Sequence, residues 1–157
     1  MQMSIFKRNK NELCSPCDGE IIPLEEIDDE VFSSGLLGYG YGVIPTQGEF
    51  FSPIEGKVTN VYDTGHAYTI VGKNGLEILV HIGIDTVELE GDFFTPRVKE
   101  GDKVKRGSML AYADLEKIRE EGYDTTTAII ISSEIKNPTL KTGVAKAKDL
   151  VLTYDLP

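Results

Sequence analysis

Apolar residues in this chain come in short alternating runs that glycine or proline cuts off, and that punctuation restricts the fold more than any single motif. Sixteen glycines and seven prolines are spread over 157 residues. Between them lie runs at 20–24, 42–45, 56–62, 67–71 and 76–82. Period-two runs of this length are strands, and many at close spacing favour an all-β sandwich or barrel-like fold. Ala128-Ile129-Ile130-Ile131 is apolar throughout and is expected to be a central strand. One segment reads as a helix, 114–122, with Asp114 as N-cap and Gly122 as its stop. The expected architecture is therefore antiparallel β with one or two short helices.

The sharpest local signal is Asn74-Gly75 between two β-prone runs, a strong hairpin mark. A two-residue loop there sets Lys73 opposite Leu76 and carries the pairing back to Tyr68 opposite His81. His66 then lies diagonal to His81 on the same sheet face, at about 7–8 Å between Cα atoms. A four-residue loop keeps this parity and a three-residue loop breaks it. These are the only two histidines in the chain. Converging imidazoles can bind zinc, share a proton, or let one ring carry a phosphoryl group that the other steadies.

Composition removes several classes of function. A net charge of −10 argues against nucleic acid, whose phosphates demand a basic face. The apolar stretch between Met1 and Lys10 is too short for a signal peptide or a membrane span. Residues 1–15 are expected to be a flexible N-terminal segment, and 16–157 a single domain. Cys14-Ser15-Pro16-Cys17 has the spacing of a redox pair. However, a strand rather than a helix is expected after it, so both cysteines are taken as incidental, in a reducing cytoplasm. Gly35, Gly38, Gly40 and Gly42 lack the Lys-Ser/Thr of a phosphate loop and read as a tight strand entry. Pro16-x-x-Gly19-x-Ile21 and Pro53-x-x-Gly56-x-Val58 form a faint repeat. Each would be a turn feeding a strand, with glycine supplying a conformation other residues resist.

The run His81-Ile82-Gly83-Ile84-Asp85-Thr86-Val87-Glu88-Leu89, preceded by Leu79-Val80, resembles the phosphorylation-site signature of the glucose-type enzyme IIA family. These are phosphocarrier domains of the bacterial phosphoenolpyruvate:sugar phosphotransferase system. Thr64-Gly65-His66-Ala67-Tyr68 resembles that family's second histidine segment. Asp29-Glu30-Val31-Phe32, Ser52-Pro53-Ile54-Glu55-Gly56-Lys57-Val58 and the 98–107 segment follow the same order. The chain departs from the family at Gly38-Tyr39-Gly40, Thr127-Ala128 and Ser133, none of which removes a histidine.

The resemblance implies an antiparallel β-sandwich with internal duplication and a cytoplasmic protein. It implies a transferase that takes a phosphoryl group from the phosphocarrier HPr on His81 Nε2. The acceptor would be a cysteine on the enzyme IIB domain of a membrane sugar permease. On this reading His66 steadies the phosphoryl group, Thr64 supports that ring or reaches the phosphate itself, and a backbone carbonyl just after His81, such as that of Gly83, holds its Nδ1 proton. Phe32, Tyr62, Leu79 and Ile82 are expected to form an apolar docking surface. Asp29 and Asp85 are expected to hold a loop or meet a cationic partner residue. No cofactor is required beyond the covalent phosphoryl group. Transient zinc bridging the two histidines to a partner's carboxylate is a further expectation, as a regulatory contact, as are regulatory protein targets. Two rivals belong to other classes. One is a zinc hydrolase with His66, His81 and Asp85 or Asp29 as ligands. The other is a swinging-arm carrier modified at Lys73, on the hairpin tip.

Overall fold

The computed structural model describes residues 11–157. Fourteen strands and two short α-helices lie among them. The first half holds β1 (Asn11–Cys14), β2 (Gly19–Pro23), β3 (Tyr39–Pro45), β4 (Glu49–Phe51), β5 (Gly56–Val61), β6 (Ala67–Gly72) and β7 (Glu77–His81). The second holds β8 (Phe94–Pro96), β9 (Lys103–Val104), β10 (Met109–Ala113), β11 (Thr127–Ile131), β12 (Lys136–Leu140), β13 (Gly143–Ala145) and β14 (Leu150–Asp155). Helix α1 is Glu30–Ser33 and α2 is Leu115–Glu120. Asp114 does cap α2, accepting from the Lys117 N–H at 3.2 Å.

An eight-stranded antiparallel sheet runs β13-β2-β3-β11-β7-β6-β5-β9, with two three-stranded sheets, β1-β14-β12 and β4-β10-β8. The small sheets pack on one face of the large one. Leu13, Phe50, Leu110 and Leu152 from the small sheets meet Tyr41, Tyr68, Ile78, Val80 and Ile129 in the main core. The other face is capped by the 24–33 segment, whose Leu24, Ile27 and Phe32 cover Ile22, Ala128 and Ile130. Strand β11 is thus buried on both faces, the physical reason its sequence is apolar throughout rather than alternating.

The faint sequence repeat is a structural one. Ser15 Oγ donates to the Cys17 carbonyl at 2.6 Å, and Ser52 Oγ to the Ile54 carbonyl at 2.6 Å. The two turns also grip each other, Cys14 N–H on the Pro53 carbonyl and Phe51 N–H on that of Pro16. Gly19 pairs with Ala145 and Gly56 with Val104 at opposite edges of the large sheet. A pseudo-twofold axis passing between the facing Val80 and Ile129 therefore maps β9-β5-β6-β7 onto β13-β2-β3-β11. The glycines serve a purpose other than the expected one. A Cβ on Gly19 would stand 2.3 Å from the Ile44 oxygen and one on Gly56 2.4 Å from that of Val71. Close strand approach, not a left-handed φ, excludes a side chain there. Gly40 and Gly42 lie within β3 rather than at its entry.

Two expectations change. Asn11–Cys14 is a strand paired with β14, where a flexible segment through residue 15 was expected; residues 1–10 lie outside the described residues. The β6–β7 hairpin turns through three residues, Lys73-Asn74-Gly75, with Gly72 N–H donating to the Leu76 carbonyl at 2.8 Å. Ala67, not Tyr68, therefore faces His81, and Tyr68 faces Val80. One added turn residue shifts the register by one and exchanges the faces.

Candidate functional site

Residue His81 ends β7, and His66 stands one residue before β6. The ladder extends to them, because Ile82 N–H donates to the His66 carbonyl at 2.7 Å. By alternation His66 belongs with Tyr68 and Val80 on the main-core face, and His81 with Leu79 on the capped face. The expected same-face geometry is therefore absent, yet the rings meet. Their centroids are 4.8 Å apart at an interplanar angle of 84°. They do so because both sit where the ladder ends. Gly65 (φ +73°) and Gly83 (φ +81°) turn the chain away beside them, so no further residue pair separates the two faces. Each ring is backed by an aromatic of its own face. Phe94 of the main core lies 6.4 Å from His66, and Phe32 of the capping helix 5.0 Å from His81.

The ring nitrogens are held separately. His81 Nδ1 lies 2.8 Å from the Gly83 carbonyl. A carbonyl only accepts, so Nδ1 carries the proton and Nε2 keeps its lone pair. Thr64 Oγ1 is in hydrogen-bond contact with His66 Nδ1. His66 is 3 % exposed. Burial, then the neighbouring His81, pushes its pKa down to about 4. Burial also lowers the pKa of His81, opposed first by the Gly83 hydrogen bond and then by the charges of Asp29 and Asp85. Both imidazoles are neutral at pH 7, and Nε2 of His81 has a lone pair free to act as a nucleophile.

The expected supporting residues divide. Asp29 caps α1, accepting from the Val31 N–H at 2.8 Å, and so holds the helix that carries Phe32 against His81. Asp85 is exposed, at φ +58°, where the loop after His81 enters the turn Thr86–Leu89. Tyr62 is 41 % exposed and meets His66 edge-on at 5.6 Å. Leu79 is half-buried against the capping cluster. Ile82 is fully buried in the main core and Phe32 is 6 % exposed, so neither offers surface to a partner, contrary to expectation. Strand alternation explains Ile82, which falls on the inward face. The exposed apolar residues that sequence reasoning missed are Val31, Leu36 and Leu37, on and just after α1, and Val87 after the His81 loop. Apolar residues in a segment without periodicity are the one signal that marked them.

Among the described residues no group of three or more His, Cys, Asp or Glu is arranged to hold a metal ion, so neither Asp29 nor Asp85 completes a ligand set with the histidines. Both cysteines are buried, and burial raises the pKa of each, which keeps them as thiols. Lys73 sits in the hairpin turn with its Nζ 3.9 Å from Glu55. No helix among the described residues is long and apolar enough to cross a membrane.

The fold and site define an antiparallel β-sandwich that brings two neutral imidazoles edge to face at the end of one hairpin. Residues 11–136 match the family of the phosphoenolpyruvate-dependent sugar phosphotransferase system, EIIA 1, and the chain belongs to it. It is 44% identical over 147 residues to the glucose-specific EIIA component of Oceanobacillus iheyensis, covering 87% of this chain and 89% of that one. It is 40% identical over 154 residues to the beta-glucoside-specific EIIBCA component of Bacillus subtilis (strain 168), covering 96% of this chain. It spans 25% of that longer relative. The glucose permease IIA of Mycoplasma capricolum has the same fold, with a TM-score of 0.86 at 34% identity, over 92% of this chain and 96% of that one.

Proposed function

We propose that this protein is a cytoplasmic phosphocarrier that accepts a phosphoryl group on His81 Nε2 from phospho-HPr and passes it to the cysteine of a sugar-specific enzyme IIB domain. The observation that carries the reading is the 2.8 Å contact from His81 Nδ1 to the Gly83 carbonyl, which leaves Nε2 unprotonated. In the first step Nε2 attacks phosphorus in line. The donor's P–N bond breaks as the new P–N bond to His81 forms, and the donor imidazole leaves with its electron pair. In the second step an acceptor thiolate displaces His81. The protein contributes positioning and charge stabilisation rather than further covalent chemistry.

In this reading Thr64 donates its hydroxyl hydrogen to His66 Nδ1, which leaves the proton on Nε2, aimed at a phosphoryl oxygen on His81. Tyr62, Val31, Leu36, Leu37 and Val87 supply exposed apolar area for docking. Asp29 and Asp85 offer carboxylates to a basic partner and set encounter rate more than affinity. Zinc held transiently between the two histidines and a partner's carboxylate remains a regulatory proposal. The chain alone fits such a site incompletely.

The test is incubation of the purified chain with phosphoenolpyruvate, enzyme I and HPr, followed by intact-mass measurement. An acid-labile, alkali-stable phosphoryl adduct that His81→Ala abolishes is expected. No adduct with active controls would overturn the proposal. His66→Gln is expected to retain the nucleophile and impair transfer onward, which a thiol-acceptor assay with enzyme IIB reads directly.

A further inference from the structure

The carbonyl that fixes the His81 proton belongs to a glycine in a left-handed conformation, so its direction depends on what holds residues 82–86. Gly83 has φ +81° and Asp85 φ +58°, two reversals in three residues. Such a loop keeps one shape only if its surroundings impose it. Three contacts do so. Ile84 N–H donates to the Asp124 carbonyl at 2.9 Å. Asp124 is itself held by its carboxylate, which accepts from Thr126 N–H at 2.8 Å and from Thr126 Oγ1 at 2.7 Å. Tyr123 Oη donates to Glu88 at 3.0 Å, tying the turn beyond the loop to the same segment.

The third contact comes from inside the loop. Thr86 is fully buried, and its hydroxyl donates to the Ile82 carbonyl at 2.5 Å. That bond spans the two peptide planes flanking Gly83. The Thr86 methyl also fills the space beside Gly83, where a built Cβ would stand 2.4 Å from it. Ile82 N–H meanwhile donates to the His66 carbonyl, so the clamp closes on the residue that links the two histidine backbones. A hydroxyl buried this deeply needs an acceptor, and the only one it uses is the carbonyl next to the nucleophile.

We infer that Thr86 is a positioning residue for His81. Its hydroxyl, anchored on the Ile82 carbonyl, sets the direction of the Gly83 carbonyl and through it the Nδ1–H tautomer of the imidazole. Threonine is used because the hydroxyl makes the clamp and the methyl packs under Gly83; valine keeps the shape and loses the clamp. The tautomer statement concerns the unphosphorylated protein, and the inference rests on the phosphocarrier reading only for its kinetic consequence.

The experiment compares the full chain with Thr86→Val and Thr86→Ser by long-range 1H–15N spectra of the histidine side chains above pH 7, and by the initial rate of phosphoryl acceptance from phospho-HPr. Wild type and Thr86→Ser are expected to hold the His81 proton on Nδ1. Thr86→Val is expected to distribute it over both nitrogens and to lose roughly tenfold in acceptance rate. His66, whose Nδ1 partner is Thr64, keeps one tautomer in all three. An unchanged His81 in Thr86→Val, or equal disturbance of both histidines, would overturn the inference, the latter by showing general loosening. Loss of the tautomer preference in Thr86→Ser would overturn it as well, and this arm decides if the valine variant does not fold. If wild type accepts no phosphoryl group, the functional proposal falls while the tautomer comparison still decides the role of Thr86.

Discussion

At the scale of single residues, the site depends on keeping two adjacent imidazoles uncharged. His66 is held neutral by burial and by His81, with a pKa of about 4 against 6.5 for the free side chain. Between those values the unfolded chain binds the proton that the folded chain refuses, so stability should fall as pH drops from about 6.5 towards about 4 and be unaffected above that window. His81 adds in the same direction. A denaturation series across pH reads the slope, and titration of the histidine C2 protons should place both midpoints below 6.5. A flat stability profile would contradict the burial argument. Gly83→Ala tests the loop from another side. Its φ of +81° and a Cβ 2.4 Å from the Thr86 methyl should lower stability by roughly 1–3 kcal/mol in thermal melts and slow phosphoryl acceptance further. The identity of the two histidines, of Thr64 and of the Gly83 carbonyl was legible from the motifs. The burial of Ile82 was not, since it follows from a register no motif states.

At the scale of elements, the hairpin shows how a correct outcome followed from incorrect geometry. Asn74-Gly75 marked the turn, but Lys73 joined it, and the strand faces exchanged. Turn residues announce a reversal far better than they count its length. Convergence survived because His66 and His81 stand at the ladder's end, where a parity rule for strand interiors no longer governs. Helix α1 escaped the sequence reading for a different reason: four residues are too few for a helical period to appear. Its N-cap is nonetheless written in Asp29. Asp29→Ala should cost about 0.5–2 kcal/mol of local stability and loosen Phe32 from the His81 ring. Faster amide exchange over residues 30–34, with the main-core strands unchanged, is the expected signature. Uniform protection in the variant would show that packing of Phe32 alone holds the helix.

At the scale of the molecule, a duplicated four-strand unit builds a symmetric sheet and then breaks the symmetry at one place. The pseudo-twofold between Val80 and Ile129 puts Ile130 where the other half has His81. The apolar copy lies under the capping cluster, while the histidine lies at that cluster's margin against Phe32. The centre of the dyad is therefore packed core, and its periphery carries the proposed site. Ile129 is fully buried there. Ile129→Ala should cost about 2–5 kcal/mol and lower the melting temperature without altering the ordering of the two histidine midpoints. Hydrogen exchange should be slowest at the Val80 and Ile129 amides; faster exchange there than in β9 or β13 would contradict the placement of the core.

The amino-acid sequence by itself determined that this chain is antiparallel β, where most of its strands lie, that its two histidines flank one hairpin, and that a half-domain is repeated. Those properties are local: alternation, turn chemistry and motif spacing act over a few residues and can be read in order. Only the tertiary structure decided the hairpin register, the reach of the first strand down to Asn11, and which apolar residues face solvent. It also decided that a buried threonine hydroxyl ties the loop after His81 to the Ile82 carbonyl. Each of these is settled by a competition among segments far apart in the chain. Burying the inward face of β6 and β7 outweighs the simplest turn, and the 118–126 segment shapes a loop more than thirty residues before it.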